Sequence, residues 1–167
     1  MAKAPSIYVS QRSALGFDSV SYGYGGIELF EADQLDRAQV GYSVSKDGKS
    51  LTGDGKGAWR ENWFVVGRET TLGDPIFLST DAPHAVYTAI HGEGSWNHGL
   101  IAPDLEAFWR CLAVFRKHAK GRGTPIELEE NPPGEDEVEE YGTRICECCG
   151  EGDDAVDFWA GIAEFAD

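Results

Sequence analysis

The chain has 167 residues and a formal net charge of −15, from 14 basic and 29 acidic side chains. That length suits one domain, or one domain with an appendage, and buries ~70% of the unfolded surface, so folding does not require disulfides. The negative field repels phosphate backbones, which argues against nucleic acid as a ligand, and no stretch approaches the ~18 apolar residues of a membrane span.

The charge is uneven. Residues 1–120 hold 14 acidic and 12 basic side chains, whereas residues 121–167 hold 15 acidic ones against only Arg122 and Arg144. A field of that sign speeds encounter with a basic protein partner, although acidity also serves plain solubility. The N-terminal run MAKAPSIYVSQRSALG has no apolar stretch long enough for a secretory signal. The expectation is therefore a cytoplasmic protein whose four cysteines are reduced thiols.

In chain order, the first 20 residues carry no decisive pattern. Tyr22-Gly23-Tyr24-Gly25-Gly26 reads as a turn leading into a short alternating strand, Ile27 to Phe30. Glu31 to Gln39 has helical composition, with Leu35 and Ala38 on one face. Tyr42 to Ser45 suits a further strand, and the glycine-rich run from Lys46 to Gly57 a mobile hairpin or surface loop. From Trp63 to Trp96 come three apolar runs: Trp63 to Val66, Ile76 to Leu78 and Val86 to Ile90. Gly73-Asp74-Pro75 and Asp81-Ala82-Pro83 separate them, which predicts an antiparallel meander. Pro103 to Lys120 is the clearest helix. Leu105, Phe108, Trp109, Leu112 and Phe115 form one stripe, with acidic residues at its start and basic residues at its end.

Gly121 to Gly134 reads as a linker in which Thr124 to Leu128 suits an edge strand. After Pro132-Pro133 an acidic helix is predicted, with Val138, Tyr141, Ile145 and Cys148 on one face. A last helix, capped by Asp153 or Asp154, carries Val156, Phe158, Trp159, Ile162 and Phe165. The expected fold is α+β: a mostly antiparallel sheet of about five or six strands flanked by helices, with a C-terminal acidic helical hairpin. Residues 1–120 form the core, and residues 121–167 an acidic extension packed on it.

Several motifs bear on chemistry. His91-Gly92-Glu93 with Cys146 and Cys149 matches part of the zinc deaminase pattern, H-x-E followed by P-C-x-x-C. Ile145 replaces the proline, His91 follows a strand rather than opening a helix, and nearby carboxylates disfavour thiolates. His91, Glu93 and His98 form a second metal-like spacing without a second shell. Gly48-Lys49-Ser50 resembles the end of a phosphate-binding loop, but Ser43 stands where the pattern requires glycine. Cys111 suits a small buried thiol. No Ser-His-Asp or Cys-His arrangement is recognisable, and Glu129-Glu130 and Glu139-Glu140 read as solvated charge.

Gly25 to Phe30 with Leu35, then Trp63 to Gly67, Gly73 to Leu78, Val86-Tyr87 and Gly94-Ser95-Trp96, resemble the early and central elements of the SUKH superfamily. These are the proteins related to the yeast cell-wall-synthesis regulator. Ile101-Ala102-Pro103 to Leu112 resembles its closing helix. The resemblance covers about residues 22–118 and is most specific at G-D-P-I-F-L. Members usually begin with one or two helices and an L-P-x-x-[YF]-type segment, which the 21 residues before Tyr22 fit poorly. The N-terminal helical layer is thus expected to be shortened or altered.

The resemblance implies an α+β domain without catalytic residues. In its bacterial branch it implies an immunity protein that binds a secreted toxin, often a nuclease. A nuclease needs a basic cleft, which an acidic partner can occupy. The leading expectation is a non-enzymatic protein that neutralises a cognate basic toxin domain, with no cofactor and with Asp74, Glu93, Trp96 and Tyr24 as the partner-binding residues. Asp74 also suits a turn cap, and Trp96 a core anchor. Two alternatives stand beside it: a metal-dependent hydrolase or deaminase using His91, Glu93, Cys146 and Cys149, and a regulatory scaffold.

Overall fold

The computed structural model describes residues 3–90 and 94–164. A helix α1 (Ser6–Ala14) leads into strands β1 (Ser19–Tyr22) and β2 (Gly25–Leu29), then a single helical turn α2 (Leu35–Ala38). The meander follows as β3 (Trp63–Glu69), β4 (Pro75–Ser79), β5 (Val86–Ala89) and β6 (His98–Ala102). Helices α3 (Leu105–His118), α4 (Pro125–Glu130), α5 (Glu135–Cys149) and α6 (Asp153–Gly161) complete the described chain. The strands form one antiparallel six-stranded sheet in sequence order, so the fold is α+β.

Close backbone approach explains the glycines at the β1–β2 hairpin and in β3. Gly26 has φ +150°, and a Cβ there would collide with the Val20 carbonyl. A Cβ on Gly67 would strike the Glu28 carbonyl of β2, just where β3 bulges between Val65 and Gly67.

The two sheet faces are covered differently. On one, Ile27, Phe64, Val66, Ile76 and Leu78 lie under the α3 stripe of Leu105, Phe108, Leu112 and Phe115. Asp104 starts α3 by accepting a hydrogen bond from the Ala107 amide at 2.7 Å. Tyr8 of α1 joins this core, stacking on Trp109 and donating its hydroxyl to the Val66 carbonyl. The other face carries Trp63, Val65, Phe77 and Ala89 beneath Trp59 and Tyr42 of the long β2–β3 connection.

Side chains hold that connection in place. β2 stops at Leu29 opposite Gly67, which leaves Val65 without a strand neighbour on that side. The buried Gln39 carboxamide substitutes: it donates to the Val65 carbonyl at 2.8 Å and accepts from the Val65 amide at 3.0 Å. Trp59 donates its indole N–H to the Trp63 carbonyl. Tyr42 to Ser45 is not a strand of the sheet; only isolated bridges at Val44 pair it with Val40 and Ser50. The expected helix over Glu31 to Gln39 shortens to α2.

The C-terminal layer brings three corrections. Thr124 to Leu128 lies in and before helix α4, not an edge strand. Thr124 accepts from the Glu127 amide, Glu127 accepts from the Thr124 amide, and Pro125 sits in the first turn. The buried face of α5 is Tyr141, Ile145 and Cys149, while Val138 is 49% exposed and Cys148 half-buried. Gly152, not an aspartate side chain, precedes α6, and Asp153 and Asp154 lie in its first turn at the positive dipole end. Phe165 lies outside the described residues. Trp159 is fully buried against Phe108 and Phe115 and donates to the Ile101 carbonyl at 2.9 Å, which docks α6 along β6. Among the described residues no helix is long and apolar enough to cross a membrane.

Candidate interaction surface

The β1–β2 and β3–β4 turns lie at one end of the sheet. Tyr24 occupies the β1–β2 turn and is 73% exposed. The turn is fixed from below. Gly23 adopts φ +57°, its amide donates to the Arg122 carbonyl at 2.8 Å, and Leu128 of α4 fills the space where a side chain would go. Beside it, α4 turns Leu128 into the core and leaves Ile126 exposed.

Between the turn and α4 runs an open groove of about 610 Å³. Tyr24, Thr71, Ile126 and Ile162 contribute to its walls, Glu129 and Glu164 add carboxylates, and among the described residues no basic side chain lines it. The adjacent β3–β4 turn is rigid because the buried Glu69 carboxylate accepts the backbone amides of Thr71 and Leu72. That turn presents Leu72 to solvent. Exposed apolar side chains thus sit among carboxylates, an arrangement suited to a partner that offers cations around an apolar anchor.

The acidic helices extend this surface. Glu135, Asp136, Glu139 and Glu140 are exposed on α5, and Glu129 and Glu130 on α4. Arg122 does not offset them at the surface. It is buried, donating to the His118 and Asn131 carbonyls and bidentately to Glu137 at 3.0 Å. The Glu137 carboxyl is held below its ordinary range, first by the Gly134 amide and then by Arg122. His118 is buried between the rings of Tyr22 and Tyr141, at centroid distances of 5.4 and 4.5 Å. Burial, then the Arg122 charge, pushes its imidazole below the ordinary value.

Of the four residues singled out in the sequence, the three that are described, Tyr24, Asp74 and Trp96, sit on three different connections. Tyr24 lines the groove. Trp96 is half-buried on the second sheet face, its ring 5.2 Å from Tyr42 and 5.3 Å from Trp59, and its amide donates to the Gly57 carbonyl. It anchors the glycine-rich loop. Asp74 is half-buried in the β3–β4 turn, its carbonyl accepting from Glu69, and its charge joins burial in raising the Tyr42 phenol. Glu93 and His91 lie outside the described residues. Cys149 is buried and donates to the Ile145 carbonyl, and Cys146 is half-buried. Among the described residues no group of histidine, cysteine and carboxylate side chains is arranged to hold a metal ion.

The residues that sequence reasoning missed are Ile126 and Leu72. The signal for Ile126 lay in Thr124-Pro125 followed by Glu127, which makes the segment a helix and turns Ile126 outward. Leu72 carried no comparable signal. Comparison with protein-family models, with curated proteins and with solved structures finds no match for this chain.

Proposed function

We propose that this chain is a non-catalytic cytoplasmic immunity protein of the SUKH type, which occludes a basic toxin domain with its acidic groove. The observation that carries the reading is the groove itself. Exposed Tyr24 and Ile126 stand beside Glu129 and Glu164, with no cation among the described lining residues. An aromatic side chain on a rigid turn makes a low-entropy anchor. The surrounding acidic field accelerates encounter with a basic surface and disfavours wrong partners. A nuclease-type toxin supplies the complement, since its cleft must attract phosphate. The order of the sheet elements around G-D-P-I-F-L, which falls at the β3–β4 turn and β4, supports the family reading.

The test is binding to a basic C-terminal domain encoded in the gene beside this one. Tyr24→Ala lowers affinity by about 30-fold or more if the turn is an energetic centre. Glu129→Lys slows association and flattens its salt dependence. Unchanged affinity and rate in both variants, with the fold intact, refute this surface. Absence of any such neighbouring domain refutes the immunity role.

A further inference from the structure

The two edges of the sheet end differently. Along β6, Trp159 donates to the Ile101 carbonyl, and a Cβ on Gly99 would stand 3.5 Å from Asp154, so α6 covers that edge. At β1 the Leu29 amide donates to the Asp18 carbonyl at 2.7 Å. Antiparallel pairs alternate, so Val20 and Tyr22 turn their backbone groups to β2, and Ser19 and Ser21 turn theirs outward. The chain itself closes the far end of this edge. There the Gly23 amide donates to the Arg122 carbonyl, and a Cβ on Gly123 would stand 3.7 Å from the Ser21 carbonyl. The Ser19 amide and carbonyl and the Ser21 amide stay open, with no hydrogen-bond partner among the described residues. Both serines are exposed.

Beside this edge, on the α3 side of the sheet, lies an open groove of about 640 Å³. Leu15, Phe17 and Trp109 supply its apolar wall, Arg116, Lys117 and Lys120 its cations, and among the described residues no carboxylate lines it. Arg116 is held over the Phe17 ring at 4.1 Å. Lys117 reaches Glu140 at 3.2 Å, whereas Arg116 and Lys120 have no carboxylate partner among the described residues. The helix dipole favours cations at the end of α3, but it does not account for an apolar wall and free backbone groups beside them.

We propose that the β1 edge and this groove form a second interaction surface, separate from the one beside Tyr24, which takes an extended acidic segment of a partner protein as a further strand. The backbone of the segment pairs with Ser19 and with the Ser21 amide. Side chains alternate across a strand, so the residue opposite Val20 points to the α3 side, as do its neighbours two positions away. An apolar residue there meets the wall. Carboxylates two positions to either side meet Arg116 at the Phe17 end and Lys120 at the closed end. A second copy of this chain is a poor occupant. Antiparallel pairing of two β1 edges puts both α3 helices on one face of the joined sheet, with their cations facing each other. The acidic helices repel such a segment only over the screening length, about 8 Å at physiological salt, so the cations of the groove dominate locally.

The probe is a fluorescein-labelled peptide, Thr-Glu-Val-Phe-Val-Glu-Thr, titrated with the full-length chain by anisotropy, with amide exchange followed by NMR. Saturable binding that weakens with added salt is expected, and replacing both peptide glutamates by lysine abolishes it. The double variant Arg116→Glu, Lys120→Glu binds about tenfold more weakly or worse. A peptide N-methylated at both valines keeps every side chain but loses its backbone donors, and it also weakens by about tenfold or more. Exchange slows at the Ser19 and Ser21 amides and not at Val20 and Tyr22, which already face β2. The proposal is overturned by no saturable binding up to about 1 mM, by equal affinity for the lysine or N-methylated peptide, or by protection confined to the β1–β2 turn and α4. A dimer of the free chain that protects the same two amides assigns the edge to a second copy and overturns it as well. The peptide variants decide the matter on the wild-type chain even where the double variant fails to fold.

Discussion

The meander and the acidic C-terminal layer solve the same packing problem in opposite ways. In the meander, backbone ladders set the register, and apolar side chains fill both faces, Phe64 and Val66 to one side and Trp63 and Val65 to the other. In the C-terminal layer a few large side chains do the anchoring. Trp159, Tyr141 and Ile145 point inward, and Arg122 bridges α3, α4 and α5 through carbonyls and Glu137. Because so few positions hold the layer down, its outer positions carry charge at little cost to folding. The sheet supplies the frame, and the helices supply the field.

Trp159→Ala breaks the comparison most severely. It removes a fully buried indole and the hydrogen bond to Ile101, and a loss of about 3–5 kcal/mol is expected in urea denaturation. Hydrogen exchange should rise in α5 and α6 before it rises in β3 and β4. Tyr141→Phe acts more gently. The Tyr141 hydroxyl satisfies the Trp159 carbonyl at 2.6 Å near the end of α6, so its removal costs about 1–3 kcal/mol and leaves the meander in place.

Acidification separates the two regions without mutation. The His118 imidazole is depressed in the folded state, so the unfolded chain takes up the proton first. Stability is unaffected above the ordinary value of 6.5 and declines as pH falls below it. Glu137 is also depressed, and its contribution is present above 4.5 and lost as pH falls further. A plot of urea midpoint against pH should therefore decline in two stages, and His118→Phe should flatten the first. The smallest effect belongs to the outer face. Glu139→Gln leaves the urea midpoint unchanged within error but slows association with a basic partner at low salt.

The legible parts of the sequence were those in which one signal dominated. β-branched and aromatic runs broken by Gly73-Asp74-Pro75 and Asp81-Ala82-Pro83 set out β3 to β5, and Asp104, the apolar stripe and the basic last turn bracket α3. α1 escaped notice because its two buried residues are Tyr8 and Arg12, and an arginine breaks any apolar stripe. Its guanidinium donates through Nη1 and Nη2 to the Phe17 and Leu29 carbonyls and Glu31, partners invisible in local sequence. Ile126 and Leu128 alternate like a strand, and only the Thr124–Glu127 capping box resolves the ambiguity. For the candidate surface, an aromatic flanked by glycines marked Tyr24, which the structure leaves exposed at the β1–β2 turn. Trp96 looked equally prominent, yet the long β2–β3 connection, whose path depends on Gln39, folds over and half-buries it. Long-range side-chain contacts decide such cases, and no periodicity reports them.

The claim that the groove beside Tyr24 is the partner-binding surface is tested most directly by hydrogen–deuterium exchange of the wild-type chain with and without the neighbouring basic domain. The account predicts slowed exchange in the β1–β2 turn, the Thr70 to Asp74 turn and α4, with the loop anchored by Trp96 unchanged. Protection confined to residues 46–57 and the Trp96 side of the sheet would contradict it.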